Sequence, residues 1–350
     1  MRHRRLRLAL ALASLMTGTV LGTSSAVGAT PLPAHVYAPY FEMWTTDSMS
    51  AIAQASGAHY LTLAFVETTS KSSCTLAWNG SKTQTVAAGT FLADIQAVRA
   101  LGGDAIPSFG GWSADQGGTE IGDSCKTVAS IAAAYEQVVT TYDVTRLDMD
   151  IEGRSLTKPD GIDRRNQALK LLQDWAGANG RTVQIQYTLP TSRDGLEASG
   201  LAVLQNAITN GVRVDVVNPM VFDYYDRAGL DMGDSAISAL QGIHTQLATL
   251  YPSKTSDQIW AMQGATIMNG LDDYPRRTES TSVEDAVQLY DFATDPATRM
   301  STLSMWAIQR DNGGCPGSTG SNDCSGIVQS TWEFSNILNR FTGPQPGRPR

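Results

Sequence analysis

Arg146-Leu147-Asp148-Met149-Asp150-Ile151-Glu152 is the stretch from which the fold can be read. Strand side chains alternate between faces, so Leu147, Met149 and Ile151 share one face and Asp148, Asp150 and Glu152 the other. The apolar face suits packing against helices. The acidic face needs an interior that opens to solvent or substrate at one end. A closed parallel barrel ringed by helices offers both, with its functional groups at the C-terminal ends of the strands. Three carboxylates spaced about 7 Å apart in a poorly hydrated interior repel one another, so at least one proton is retained among them.

Working outward, seven more short runs rich in β-branched and aromatic residues recur at 36–41, 60–66, 104–109, 183–189, 214–222, 259–266 and 300–308. Helix-periodic stretches separate them at 48–56, 90–101, 128–142, 164–179, 200–210, 235–251 and 283–294, with a last one near 329–341. Such alternation predicts an α/β fold with a parallel sheet, and the count is that of a single-domain (β/α)8 TIM barrel. The unusual residues fall where that fold puts function. Glu42 and Trp44 follow the first run, Glu67 the second, Gly110, Gly111 and Trp112 the third, and Glu152 the fourth; Asp223 and Tyr224 follow the sixth, and Trp306 lies near the end of the eighth. Only 33 residues separate Thr266 from Met300, too few for a large α+β insertion, which predicts an open cleft and endo action.

The amino terminus has four arginines, an apolar run from Leu8 to Leu15 and small residues ending at Ala29. That order predicts a secretory signal peptide over residues 1–29, a barrel domain over 30–342, and a Pro/Gly-rich disordered tail over 343–350. Removing Arg2, Arg4, Arg5 and Arg7, and no acid, takes the formal charge from −8 to −12. A surface that acidic repels phosphate backbones and argues against a nucleic-acid partner. No run approaches the roughly 20 apolar residues of a membrane span. The exported chain keeps Cys74, Cys125, Cys315 and Cys324. An even count in an oxidising compartment favours disulfides, and no histidine lies near them to complete a zinc site. Of three possible pairings, Cys315 with Cys324 staples a Gly/Ser-rich loop, which leaves Cys74 with Cys125.

Two plainer readings of the acids compete with a catalytic one. Solvated surface carboxylates would not sit opposite a helix-packing stripe in a buried strand. A calcium or magnesium site would suit the oxygen ligands, but the three acids lie on one line with no further acidic or histidine cluster obvious beside them, so no metal and no cofactor is expected.

Leu147 to Glu152 resembles the DxxDxDxE motif of family 18 glycoside hydrolases. Ser108 to Gly111 is similar to that family's SxGG motif, Met220 to Asp223 to its MxYD motif, and Trp306 stands where the family carries a tryptophan under the sugar. The resemblance implies a chitinase acting on chitin or N-acetylglucosamine oligomers by substrate-assisted hydrolysis, an exception to the usual two-carboxylate scheme. It implies Glu152 as general acid and then base, and Asp150 holding the acetamido N–H. Asp148 would share a proton with Asp150 from below. Asp223, Met220 and Trp306 would bind the sugar at the cleaved bond. Thr145 stands where the motif's first Asp would fall, and Phe222 where many members have a tyrosine that holds the acetamido oxygen. Tyr224, Tyr225 and Tyr187 are candidates to replace that tyrosine, Tyr224 first. An endo-β-N-acetylglucosaminidase acting on N-glycans, or a non-hydrolytic chitin-binding lectin, remain alternatives; lectins of this kind commonly lack the acid present here as Glu152. A secreted monomer is the default expectation.

Overall fold

Eight parallel strands close on one another in the computed structural model, which describes residues 28–29, 31–273, 279–318 and 322–343. They are β1, in two pieces Val36–Tyr37 and Tyr40–Glu42, β2 (Tyr60–Thr68), β3 (Asp104–Gly110), β4 (Arg146–Asp150), β5 (Gln184–Ser192), β6 (Val216–Met220), β7 (Gly264–Met268) and β8 (Thr302–Trp306). The two pieces of β1 explain the closure. Val36 pairs with Thr302 on β8, and Tyr40 pairs with Thr62 on β2, so a single strand joins both edges of the sheet. The architecture is the (β/α)8 barrel read from the alternation. The expected signal segment, residues 28–29 apart, and the tail from 344 onward lie outside the described residues.

Each barrel strand is followed by helix, and local signals set the boundaries. Ser48 caps Met49–Ser56, and Gly57, at φ +76°, ends it in the left-handed region that glycine enters without strain. The helix Pro159–Ala178 begins five residues before the expected Arg164, because Pro159 has no N–H to lose in a first turn and its ring is already set at a helical φ. One expected strand was placed too early. Ile259 and Trp260, which begin the 259–266 run, end the helical turn Ser256–Trp260, fixed by a capping box between Thr255 and Gln258, and the strand starts only at Gly264.

Leu147, Met149 and Ile151 are fully buried and belong to the core between sheet and helices. In register, Asp148 lies beside Gln186, Met149 beside Tyr187 and Asp150 beside Thr188, so neighbouring strands present the same alternation to the interior. The stretch between β7 and β8 holds a small hairpin, Gly270–Leu271 with Ser280–Thr281, and the helix Val283–Thr294, in place of a large insertion. Disulfides join Cys74 to Cys125 and Cys315 to Cys324, the expected pairs. No helix among the described residues is long and apolar enough to cross a membrane.

Candidate active site

The C-terminal ends of the strands surround a cleft of about 730 Å³, lined among others by Trp44, Glu67, Trp112, Asp150, Glu152, Met220, Asp223, Tyr225 and Trp306. The acidic ladder of β4 rises into it from below. Asp148 is deepest and fully buried, and four donors surround it: Tyr40 Oη at 2.8 Å and Ser108 Oγ at 2.7 Å on Oδ2, Thr188 Oγ1 at 2.7 Å and Gln186 Nε2 at 3.1 Å on Oδ1. Burial raises its pKa and those four bonds oppose the rise. Because all four neighbours donate, Asp148 is best suited to be the anion of the ladder.

Asp150 has no such support. It is 3% exposed, its Oδ1 has no hydrogen-bond partner, and burial followed by the charges of Glu152, Asp148 and Asp115 pushes its pKa well up. Asp150, like Glu152, is therefore pushed toward the neutral form. Glu152 ends the series and keeps part of its surface open to the cleft. Its carboxyl is nevertheless partly desolvated, and burial and then the charge of Asp223 push its pKa up to about 7, against a bond from the Trp112 backbone. Its own backbone N–H donates to the carboxylate of Asp115, a buried acid that the sequence reading passed over.

The glycines at the C-terminal end of β3 are required by this crowding. A Cβ on Gly110 would lie 2.2 Å from the Asp150 carbonyl oxygen, and one on Gly111 would enter the Phe65 ring; both residues also have positive φ. Phe65 in turn stacks on Trp306, with ring centroids 5.6 Å apart and planes 12° apart, and Trp44 stacks on Phe65. The result is an aromatic wall on one side of the cleft. Trp44 and Trp112, which also line the cleft, are 44% and 59% exposed, a degree of exposure that excludes a core-packing role for either. Met220 lies at the floor with Phe222 and Met268, packed by Trp306.

Asp223 leaves β6 with a left-handed backbone, φ +50°, and Tyr225 follows at φ +57°. The two bends turn Asp223 and Tyr225 into the cleft and Tyr224 out of it. Burial and then Asp273 push the pKa of Asp223 up to about 7, opposed by a hydrogen bond from Tyr225. Tyr224 instead lies under the Arg193 guanidinium, 4.4 Å from ring centroid to Cζ. It was the first candidate to replace the missing sixth-strand tyrosine, and its place outside the cleft corrects that expectation in favour of Tyr225. Tyr187 is corrected as well. It pairs in register with Met149, faces the helices as Met149 does, is fully buried, and donates its hydroxyl to Asn166 Oδ1 at 2.5 Å.

The inward residues of β1 and β5 that hold Asp148, namely Tyr40, Gln186 and Thr188, were missed: strand alternation groups Gln186 with Thr188, but which face turns inward depends on the register with β4. Among the described residues one acidic group could converge on a cation: Asp223, Asp272 and Glu279 offer oxygens within 4.8 Å of one another. Two of those acids already accept backbone N–H groups, Asp272 from Asp223 and Glu279 from Tyr224, each at 2.8 Å.

Residues 36–311 match the model of glycosyl hydrolases family 18. Among curated relatives, a probable bifunctional chitinase/lysozyme of Escherichia coli (strain K12) is 32% identical over 92% of this chain, and Endochitinase 11 of Metarhizium anisopliae is 34% identical over 83%. The chain spans 36% and 55% of the length of those two relatives. The catalytic domain of a hyperthermophilic chitinase from Pyrococcus furiosus superposes with a TM-score of 0.78 at 31% identity, covering 90% of this chain and 97% of that one.

Proposed function

The chain belongs to family 18 of the glycosyl hydrolases, and we propose that it is a secreted chitinase that cleaves β-1,4 linkages between N-acetylglucosamine units with retention at the anomeric carbon. One observation carries the reading: the acid of the β4 ladder most open to the cleft, Glu152, is also one whose proton is held to about pH 7. A carboxyl that is protonated near neutrality and reaches the substrate space is what leaving-group protonation requires. Once the leaving group departs, the same group takes a proton from water.

The two carboxyls nearest Glu152 along the strand support a nucleophile drawn from the substrate. Asp150, buried and pushed toward the neutral form, turns toward the acetamido N–H and becomes its acceptor as positive charge develops, its proton passing into the network around Asp148. Asp148, fixed by four donors, steadies that change of charge. Tyr225 and Asp223, hydrogen-bonded to each other across the cleft from Glu152, are the groups available to the acetamido oxygen and a sugar hydroxyl. Trp306 from the aromatic wall and Met220 at the floor supply the apolar surface against ring and methyl. The disulfides, compatible with an oxidising compartment, and the amino-terminal sequence support export.

The test is hydrolysis of N-acetylglucosamine oligomers followed by proton NMR, with a high-mannose glycopeptide and peptidoglycan as parallel substrates. Retention predicts β-anomers at first, and Glu152→Gln abolishes turnover while leaving binding intact. Initial α-anomers, or exclusive activity on either parallel substrate, would overturn the proposal.

A further inference from the structure

The hairpin after β7 carries two acids that lie behind the cleft and do not line it. Asp272 follows its first arm and Glu279 precedes its second; each is 1% exposed. Both are turned on the segment leaving β6, where Asp272 Oδ2 accepts the N–H of Asp223 and Glu279 Oε2 the N–H of Tyr224, both at 2.8 Å. Two successive N–H groups pointing to one side is the geometry that a left-handed residue creates. Asp223 is that residue, and a non-glycine side chain stays in this conformation only where its surroundings over-determine it. Arg193 adds to the hold, stacking on Tyr224, pairing with Asp226 and facing Glu279 at 4.0 Å.

We propose that Asp272 and Glu279 are positioning residues for Asp223: by taking the consecutive backbone N–H groups of Asp223 and Tyr224, they fix the left-handed turn that aims the Asp223 carboxyl into the cleft toward Glu152. Relaxation of residue 223 to an extended backbone would exchange the directions of neighbouring side chains and take Asp223 off Glu152. The two acids also set the charge around Asp223, which is faced by Glu152, Asp272, Asp273, Glu279, Tyr225 and the opposing Arg310. The inference rests on Glu152 acting as the acid, and its test is separable from that premise.

Asp272→Ala should lower kcat on chito-oligosaccharides by about 10- to 100-fold with little change in KM, the effect of misplacing a group at the reacting centre. Asp272→Asn keeps an oxygen acceptor and should recover most of the rate. Glu279→Gln keeps an acceptor but removes a negative charge that raises the proton affinity of Asp223, so Asp223 ionises at lower pH, its charge holds the Glu152 proton more firmly, and the alkaline limb of kcat/KM should move to higher pH. Deuterium uptake by the peptide spanning Val221 to Asp226 needs no catalysis: it should rise in Asp272→Ala and return in Asp272→Asn. Unchanged kinetics and uptake in Asp272→Ala, or an unmoved limb in Glu279→Gln, would overturn the proposal. So would loss of wild-type activity on dialysis against a chelator with recovery on adding Ca²⁺, since the acids would then be metal ligands. A wild-type chain inactive on every oligomer refutes the functional reading alone, and the uptake experiment then decides the positioning claim. If Asp272→Ala fails to fold, the Glu279→Gln pH profile decides it, or for an inactive chain its uptake, expected to stay at the wild-type level and overturning the claim if raised.

Discussion

Replacing Asp223 with Asn should move the alkaline limb of the pH–rate profile toward acid, and the structure sets where the limb starts and how far it can go. Glu152 works as an acid, so the active form is protonated, and activity is lost as pH rises through its pKa of about 7. For a single ionisation, roughly one molecule in ten retains the proton one pH unit above that point, so the wild-type rate near pH 8 should be about a tenth of its plateau. Asp223 titrates in the same range, and the two carboxyls lose protons as a pair, so the limb belongs to both. Burial is the larger cause of the raised Glu152 value and Asp223 the second. Asparagine removes only the second, so the limb should fall below 7 and stop well above the ordinary glutamate value. The assay is kcat/KM for a fluorogenic chitobioside between pH 4 and 9, with binding of the uncleaved oligomer followed in parallel. A variant limb at or above the wild-type one, or a wild-type limb already complete by pH 5, would refute the assignment of the acid.

Three further outcomes can be checked directly. Glu42 is fully buried with both carboxylate oxygens unpartnered, and burial pushes its pKa up to about 8 from 4.5; stability is therefore lost as pH rises between those values, and Glu42→Gln should raise stability at pH 8 by a few kcal/mol while leaving pH 4 nearly unchanged, as read by urea unfolding. Glu120→Ala strands Arg165, fully buried and held by two bonds at 3.0 and 2.9 Å, and should cost about 3–5 kcal/mol in the same assay. Tyr40→Phe deletes one of four donors on the Asp148 anion and should cost about 1.5–3 kcal/mol in stability, with a fall in kcat larger than any change in KM.

How far the sequence could be read depended on whether function followed strand periodicity. Where it did, the reading reached single residues: the alternation of Leu147 to Glu152 separates the acids from the core stripe, and β4 has that arrangement. The same rule applied to β5 would have turned Tyr187 outward and Gln186 and Thr188 inward, because Met149 and Tyr187 are partners in register. What it lacked was the register, which depends on contacts across strands. Tyr224 failed for another reason. The period of two ends at Met220, and the left-handed residues Asp223 and Tyr225 reverse the chain in a way that no side-chain pattern announces. Asp115, Asp272 and Glu279 were hidden because they act through backbone N–H groups of residues 37 to 55 positions away.

These hidden acids suggest how the cleft keeps its carboxyls ready. Glu152 and Asp223 are both donors, through the backbone, to a buried acid behind them, Asp115 in one case and Asp272 in the other. An N–H bond to a carboxylate favours its charged form, yet burial and neighbouring acids push both Asp115 and Asp272 toward the neutral form. Each is thus a poised group whose charge bears on the carboxyl it positions. Asp115→Asn should then shift the alkaline limb toward acid as far as Asp115 is ionised, and leave it unmoved if Asp115 is already neutral. The size of that shift measures what the charge of Asp115 adds to the burial and the Asp223 charge that hold the Glu152 proton.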